Sequence, residues 1–247
     1  FIHKLGKTDL TQFMPRSEAE SLIEETEAIF DRFGMTAPVF PSDMENAKSI
    51  RKEAKKHGID LLLIRQKHLG SDCLPNHIDG MCEALRERGV SIRTGEDVRH
   101  VIVEDGEVRG LITDKGELRC RAAILAPGRV GADWMGDMAK KYGMELQQRG
   151  IEVGVRVETH NDVMSDLTNV IYDPTFFVQT QRYDDQTRTF CTNPAGFITL
   201  ENYQDFVCVN GHAYRNRKSD NTNFAFLSKV ILPDPVSDSH GYGVAIG

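Results

Sequence analysis

Between residues 98 and 125 the hydrophobic pattern has a period of two, interrupted at Glu104-Asp105-Gly106-Glu107 and again at Asp114-Lys115-Gly116-Glu117. Each interruption centres on a glycine, the residue that adopts the positive φ a tight hairpin turn demands. The spacing predicts strands over residues 98–103, 108–113 and 118–125, joined by two tight turns into an antiparallel β-meander. The third strand runs through Ala122-Ala123-Ile124-Leu125 into Ala126-Pro127-Gly128, a sequence that forces a sharp change of direction.

The chain before the meander reads as helices with two short strands. Ser17-Glu18-Ala19-Glu20 has the spacing of a capping box, followed by an apolar face of Leu22, Ile23, Ile29, Phe30 and Phe33 and a stop at Gly34. Ser42 and Glu45 repeat that spacing ahead of Met44, Ala47, Ile50 and Ala54, and Lys55, Lys56 and His57 suit the negative end of this second helix. Residues 59–64 form a short Leu- and Ile-rich run expected to be a buried strand, residues 75–88 a helix ended by Gly89, and residues 90–93 another strand. That strand, helix, strand order predicts an α/β unit.

After the meander, residues 133–142 read as a short helix stopped by Gly143. From Gly150 onward the texture turns β-rich, with strands expected over 151–158, 176–181, 188–192, 197–201, 206–210 and 223–232 and a helix over 161–167. We therefore expect an α/β portion followed by a β-rich, α+β portion. The expected divisions are a helical amino-terminal segment over 1–58, a second domain over 59–145 containing the meander, and a third over 146–247.

Composition narrows the function classes. Lys and Arg number 30 against 37 Asp and Glu, a net charge of −7 that repels phosphate backbones and anionic lipid, so neither nucleic acid nor a membrane is an expected partner. No apolar run approaches the roughly 18 residues of a membrane span. The five cysteines, Cys73, Cys82, Cys120, Cys191 and Cys208, are odd in number and scattered, and no secretory segment precedes them, which fits a reducing cytoplasm. His68, Cys73, His77 and Cys82 follow one another at intervals of five, four and five residues, unlike the close pairs of structural zinc sites, so no metal is expected. Trp134 stands without the surrounding basic residues of a nucleic-acid stacking platform and reads as a packing residue. A dinucleotide-binding turn needs a Gly-x-Gly-x-x-Gly between strand and helix, and none is suitably placed; the glycines of residues 241–247 are wrongly spaced, with no helix expected after them. The opening residues from Phe1 read as neither a natural start nor a targeting segment, so the chain is expected to be a piece of something longer.

In order and texture, residues 79–128 resemble the middle portion of two-dinucleotide-binding-fold flavoproteins: helix, strand, meander, then Ala-Pro-Gly. Glu152-Val153-Gly154-Val155-Arg156-Val157-Glu158, Arg188-Thr189-Phe190-Cys191-Thr192-Asn193-Pro194-Ala195-Gly196, Val209-Asn210-Gly211-His212 and Asn221-Thr222-Asn223-Phe224-Ala225 narrow this further. Together they resemble the uncharacterised FAD-dependent dehydrogenases of the NAD-utilising type, across nearly the whole chain. The resemblance implies a partial three-layer FAD/NAD(P)-binding domain followed by a β-rich substrate-side domain, lacking the amino-terminal phosphate loop. It implies that Ala126, Pro127 and Gly128 line the cofactor's pyrophosphate side, with Val98 near the adenosine. Pro127 replaces the usual Thr and removes a hydroxyl. FAD would belong to the intact parent and bind this piece weakly or not at all, with NAD or NADP as a second redox partner and a small molecule as substrate.

The residues themselves offer chemistry beside structural alternatives. Arg156 and Glu158, two apart on a strand, share a face where they either pair or present a guanidinium to an anionic substrate. Cys191 precedes a turn that would hold a thiol at a strand rim, and an inert buried cysteine is the alternative. Asn210 and His212 flank Gly211 and suit substrate polarisation or proton transfer, the alternative being a turn with a solvated imidazole. Arg215 lies in a polar stretch with Arg217 and Lys218 that either binds a phosphate or carboxylate or is a solvated loop. Cys191 and His212 are the catalytic candidates, with Arg156, Glu158, Asn210 and Arg215 on the substrate side. A non-enzymatic β-rich module binding an acidic metabolite or a protein strand is the alternative function.

Overall fold

A computed structural model describes residues 9–145, 150–203, 206–232 and 238–246. The helices are α1 (Arg16–Arg32), α2 (Met44–Lys56), α3 (Leu74–Glu87), α4 (Ala132–Tyr142), α5 (Asn161–Thr168) and α6 (Ser239–Ile246). The strands are β1 (Val39–Phe40), β2 (Ile59–Leu62), β3 (Gln66–Lys67), β4 (Val98–Glu104), β5 (Glu107–Thr113), β6 (Gly116–Arg119), β7 (Ile151–His160), β8 (Thr175–Gln179), β9 (Gln186–Asn193), β10 (Phe197–Asn202), β11 (Val207–His212) and β12 (Asn221–Val230). The fold is mixed α and β, and every strand pair among the described residues is antiparallel.

The chain divides into two compact units, one of residues 1–83 and 149–247 and the other of residues 84–148, so the division falls inside α3. The first unit is organised on a five-stranded sheet in the order β2-β8-β9-β12-β7. α1 and α2, read from sequence as a separate helical segment, fall within this unit, where Ser42 bonds to Asn169 and Val170 and Ala47 packs with Leu61 and Ile171. α2 lies against β2, and Ala47, Leu61 and Ile171 form a buried core with Ile50, Leu167 and Phe176 around it. β10 and β11 make a separate hairpin, with Thr199 opposite Asn210 and Phe197 opposite His212.

Both amino-terminal helices start differently from the capping boxes expected. α1 begins at Arg16 after Pro15, which makes no side-chain cap, and Glu20 accepts a hydrogen bond from Arg16 Nε at 2.8 Å instead of reaching a backbone amide. α2 is capped by Asp43, whose Oδ1 accepts from the amides of Glu45 at 3.0 Å and Asn46 at 3.1 Å. Ser42 instead donates its hydroxyl to the carbonyl of Asn169. A carboxylate one residue later wins because it meets two helix amides with a full negative charge at the positive end.

The second unit contains the meander β4-β5-β6. Its turns fall where the sequence predicts, with Asp105 and Gly106 at φ 54° and 78°. α4 belongs to this unit: Trp134 Nε1 donates to the carbonyl of Arg99 at 3.0 Å, and the Tyr142 hydroxyl donates to that of Val101. Gly143 ends α4 at φ 65°, the left-handed conformation its lack of Cβ permits.

One expected strand in this unit does not form and another is cut short. Residues 90–93 join no ladder, because the amide of Val90 turns back to the carbonyl of Leu85 and closes the end of α3. The α/β unit expected around α3 is therefore absent. β6 stops at Arg119, short of the residue 125 expected. Cys120 still bonds to Arg109, but β5 begins only at Glu107, so the chain beyond outruns its partner and Ile124 is left 96% exposed. The glycine-bearing segment after residue 240, by contrast, lies within α6 through Ile246.

Candidate functional site

The ladder between β9 and β12 carries one irregularity. Asn193 faces Asn223 and Phe190 faces Ala225, so β9 holds one residue more than β12 across this stretch. Cys191 absorbs the extra residue at φ 50°, an uncommon conformation for a residue with a side chain. The bulge takes the Cys191 carbonyl out of the ladder, and side chains capture it: Asn193 Nδ2 donates at 2.7 Å and Arg156 Nη1 at 3.2 Å. The Thr192 amide is taken by Asp173 Oδ1 at 2.8 Å, and burial pushes that carboxyl above the ordinary carboxylate range.

From this bulge a polar network extends. Arg156 on β7 stands opposite Ala225, on the same face as Asn223. Its Nη1 donates to Asn223 Oδ1 at 2.7 Å and its Nη2 to Asn210 Oδ1 at 3.3 Å. Asn210 in turn donates to Glu201 Oε1 at 2.8 Å, and the Cys191 thiol lies 3.9 Å from Asn210 Oδ1. The hairpin reaches the sheet through Gly211: a Cβ added there would collide with Asn193 Nδ2, Arg156 Nη1 and Asn223 Oδ1. Glycine is required at this position by close approach, its φ being ordinary.

The network is incompletely satisfied. Asn223 is fully buried, yet its Nδ2 has no hydrogen-bond partner; Arg156 Nε and His212 Nδ1 are likewise buried and unpartnered. Buried polar groups are paired in the great majority of structures, so several orphans in one neighbourhood mark a place of unusual chemistry.

The sequence candidates separate accordingly. Arg156, Cys191 and Asn210 come together, and His212 follows Gly211 at their edge, its ring 5.8 Å from that of Tyr214. Glu158 shares the face of Arg156 but is exposed and makes no ion pair with it, so the guanidinium turns to amide and carbonyl oxygens instead. Arg215 belongs elsewhere in the same unit. Its amide, with that of Asn216, is held by Asp72, whose carboxyl the Arg215 amide keeps below its usual range. Its side chain lines an open cleft of about 530 Å³ with Asp31 and Lys67. Lys67 is bound there by Glu27 at 2.6 Å and by Asp31 at 3.0 Å, which hold its ammonium above the usual range.

Sequence reading passed over Asn193, Asn223, Glu201 and Asp173. The available signal was asparagine at the ends of strongly β-forming runs, where the residue is otherwise depleted.

The residues assigned to FAD by resemblance lie in the second unit. Val98 opens β4 and is 36% exposed, and Ala126, Pro127 and Gly128 form an exposed turn leading into a three-residue 3₁₀ turn. Gly128 takes φ 70°, and Gly131 packs closely against the Pro127 ring. No strand runs into this turn, whereas a pyrophosphate cradle needs a strand, a glycine turn and a helix start in succession. These four residues alone do not fit the pyrophosphate of FAD. Among the described residues, no group of three or more His, Cys, Asp or Glu is placed to hold a metal ion, and no helix is long and apolar enough to cross a membrane. Compared with models of known protein families and with curated proteins, the sequence matches none.

Proposed function

We propose that this chain is the central part of a FAD-dependent oxidoreductase, a dehydrogenase that passes hydride between flavin, a nicotinamide (NAD or NADP) and a small-molecule substrate. The observation that carries the reading is convergence. Four separate segments resemble the NAD-utilising flavoproteins, and one residue or more from each, Arg156, Cys191 with Asn193, Asn210 and Asn223, meets in a single part-buried hydrogen-bonded network. Burying polar side chains costs free energy unless every group is hydrogen-bonded, and this cluster, drawn from segments scattered over some seventy residues, leaves several groups without a partner, as a site built for a ligand does. In this reading the first unit is the substrate side, and the meander belongs to the three-layer FAD/NAD(P) domain. The FAD phosphate loop, absent from residues 1–247, is assigned to another part of the polypeptide. Five unpaired cysteines support a cytoplasmic setting.

The test is an FAD titration followed by flavin absorbance, run on the 247-residue chain and on the longest gene product that contains it. We expect the longer product to bind and the chain alone to bind weakly or not at all. Binding by neither refutes the flavoprotein reading and leaves the acidic-metabolite binding module, which the donor-rich network also suits. Equal binding by both refutes the assignment of the FAD phosphate loop to another part of the polypeptide.

A further inference from the structure

The orphaned atoms around Arg156 share a property. The guanidinium Nε–H and the Asn223 amide nitrogen are hydrogen-bond donors, and the Thr192 hydroxyl and the His212 ring nitrogen, orphaned with them, can each donate as well as accept. What the network lacks is an acceptor. Arg156 also carries a full positive charge whose bonds go only to neutral oxygens, those of the Cys191 carbonyl and the Asn210 and Asn223 amides. Among the described residues no carboxylate lies within ion-pair distance of it: Glu201 is one residue removed, behind Asn210, and Asp173 spends its Oδ1 on the Thr192 amide and feels Arg156 only as a nearby charge. A part-buried cation surrounded by spare donors is unfavourable by itself and favourable around an anion.

We infer that the bulge of β9, with Arg156, Asn223 and His212, is a subsite for the carboxylate of a small organic acid. A planar carboxylate accepts two parallel N–H bonds from a guanidinium fork, and its remaining lone pairs suit the amide and imidazole donors. Arg156, Cys191, Asn210 and His212 are all partly exposed, so the subsite has an open rim, and Gly211 covers it with backbone alone. The inference names the substrate class of the oxidoreductase proposed above and rests on that reading for its biological meaning, while its test reads binding alone.

The intact gene product, with no flavin or nicotinamide added, is titrated calorimetrically with acetate and succinate, with inorganic phosphate and chloride at matched ionic strength as controls. Its thermal midpoint is followed in parallel. The carboxylates are expected to bind and raise the midpoint, and the controls are not. Arg156→Lys keeps the charge but loses the fork, and is expected to weaken carboxylate binding about tenfold or more. Asn223→Asp places a carboxylate on the Arg156 guanidinium from within, so it is expected to raise the midpoint without ligand and abolish the response to added carboxylate. The inference is overturned if the unmodified protein ignores both acids, if phosphate or chloride binds equally well, or if Arg156→Lys and Asn223→Asp respond as the unmodified protein does. Flavin titration of the same preparation separates the two readings. Carboxylate binding without flavin binding leaves the subsite and removes the enzyme; the converse removes the subsite and leaves the enzyme.

Discussion

His68 lies stacked on Tyr172, ring centroids 4.2 Å apart at 23°, with Phe40 edge-on and its Nε2 within 2.8 Å of Gln66 Oε1. Burial lowers its pKa from 6.5 to about 4, so the folded protein holds a neutral ring at pH values where the unfolded chain is charged. The stability this gives is complete above the unfolded pKa and is lost as pH falls through the folded one. The full loss is about 3 kcal/mol, and about 1 kcal/mol of it falls between about pH 7 and about pH 5.5. Asp173 works in the other direction: its raised pKa makes acid favourable to the folded state, so a single pH curve mixes the two. The clean perturbation is His68→Phe, which keeps an aromatic ring on Tyr172 and removes the titration. Urea unfolding of both proteins at the two pH values gives four free energies, and the difference of differences isolates His68, because every other titrating group cancels. We expect the unmodified protein to lose about 1 kcal/mol more than His68→Phe on going to the lower pH. Equal losses would show that His68 is charged in the folded protein, and the burial argument would fail.

Three further outcomes follow from the geometry. Asp43→Ala removes the only side-chain cap on α2 and should cost about 1 kcal/mol in urea unfolding, whereas Ser17→Ala, at a position without a capping role, should cost much less. Gly211→Ala drives a methyl group into Arg156, Asn193 and Asn223 and should lower stability by about 1–3 kcal/mol, with a fall in thermal midpoint as the measure. Asp173→Asn keeps an acceptor for the Thr192 amide but removes a carboxyl whose ionisation burial opposes; it should be more stable than the unmodified protein at neutral pH, and the advantage should vanish as pH falls toward about 4.

What the sequence discloses of the fold is what local periodicity controls. The meander turns at Gly106 and Gly116, the helix stop at Gly143 and the six strands after Gly150 all follow from glycine conformation and a period of two, and each forms within a residue or two of its expected place. The failures are non-local. Whether residues 90–93 or 122–125 become strands depends on an edge to pair with, and neither apolar content nor β-branching says which edge is free. The pairing of β2 with β8 is likewise invisible in the local pattern, because a Leu- and Ile-rich run suits a parallel or an antiparallel neighbour equally.

The candidate site was legible at Arg156, Cys191 and Asn210 and not at Asn193 and Asn223. Arg156 draws attention because a cation on an apolar strand needs a reason, and Glu158 looks like that reason because it is two residues away on the same face. The geometry separates them: neighbours along one face of an edge strand can both lean outward, whereas a guanidinium turned toward the adjacent strands meets whatever the register brings there. That register carries an added residue at Cys191, which sets Asn193 opposite Asn223 and frees a carbonyl for Arg156. A bulge of this kind has no sequence signature here, since its left-handed residue is cysteine and not glycine. Strain at a residue that pays for it with no packing gain is most economically explained by what it positions. At Cys191 that is a carbonyl and two amides arranged around a cation that meets no carboxylate in an ion pair among the described residues.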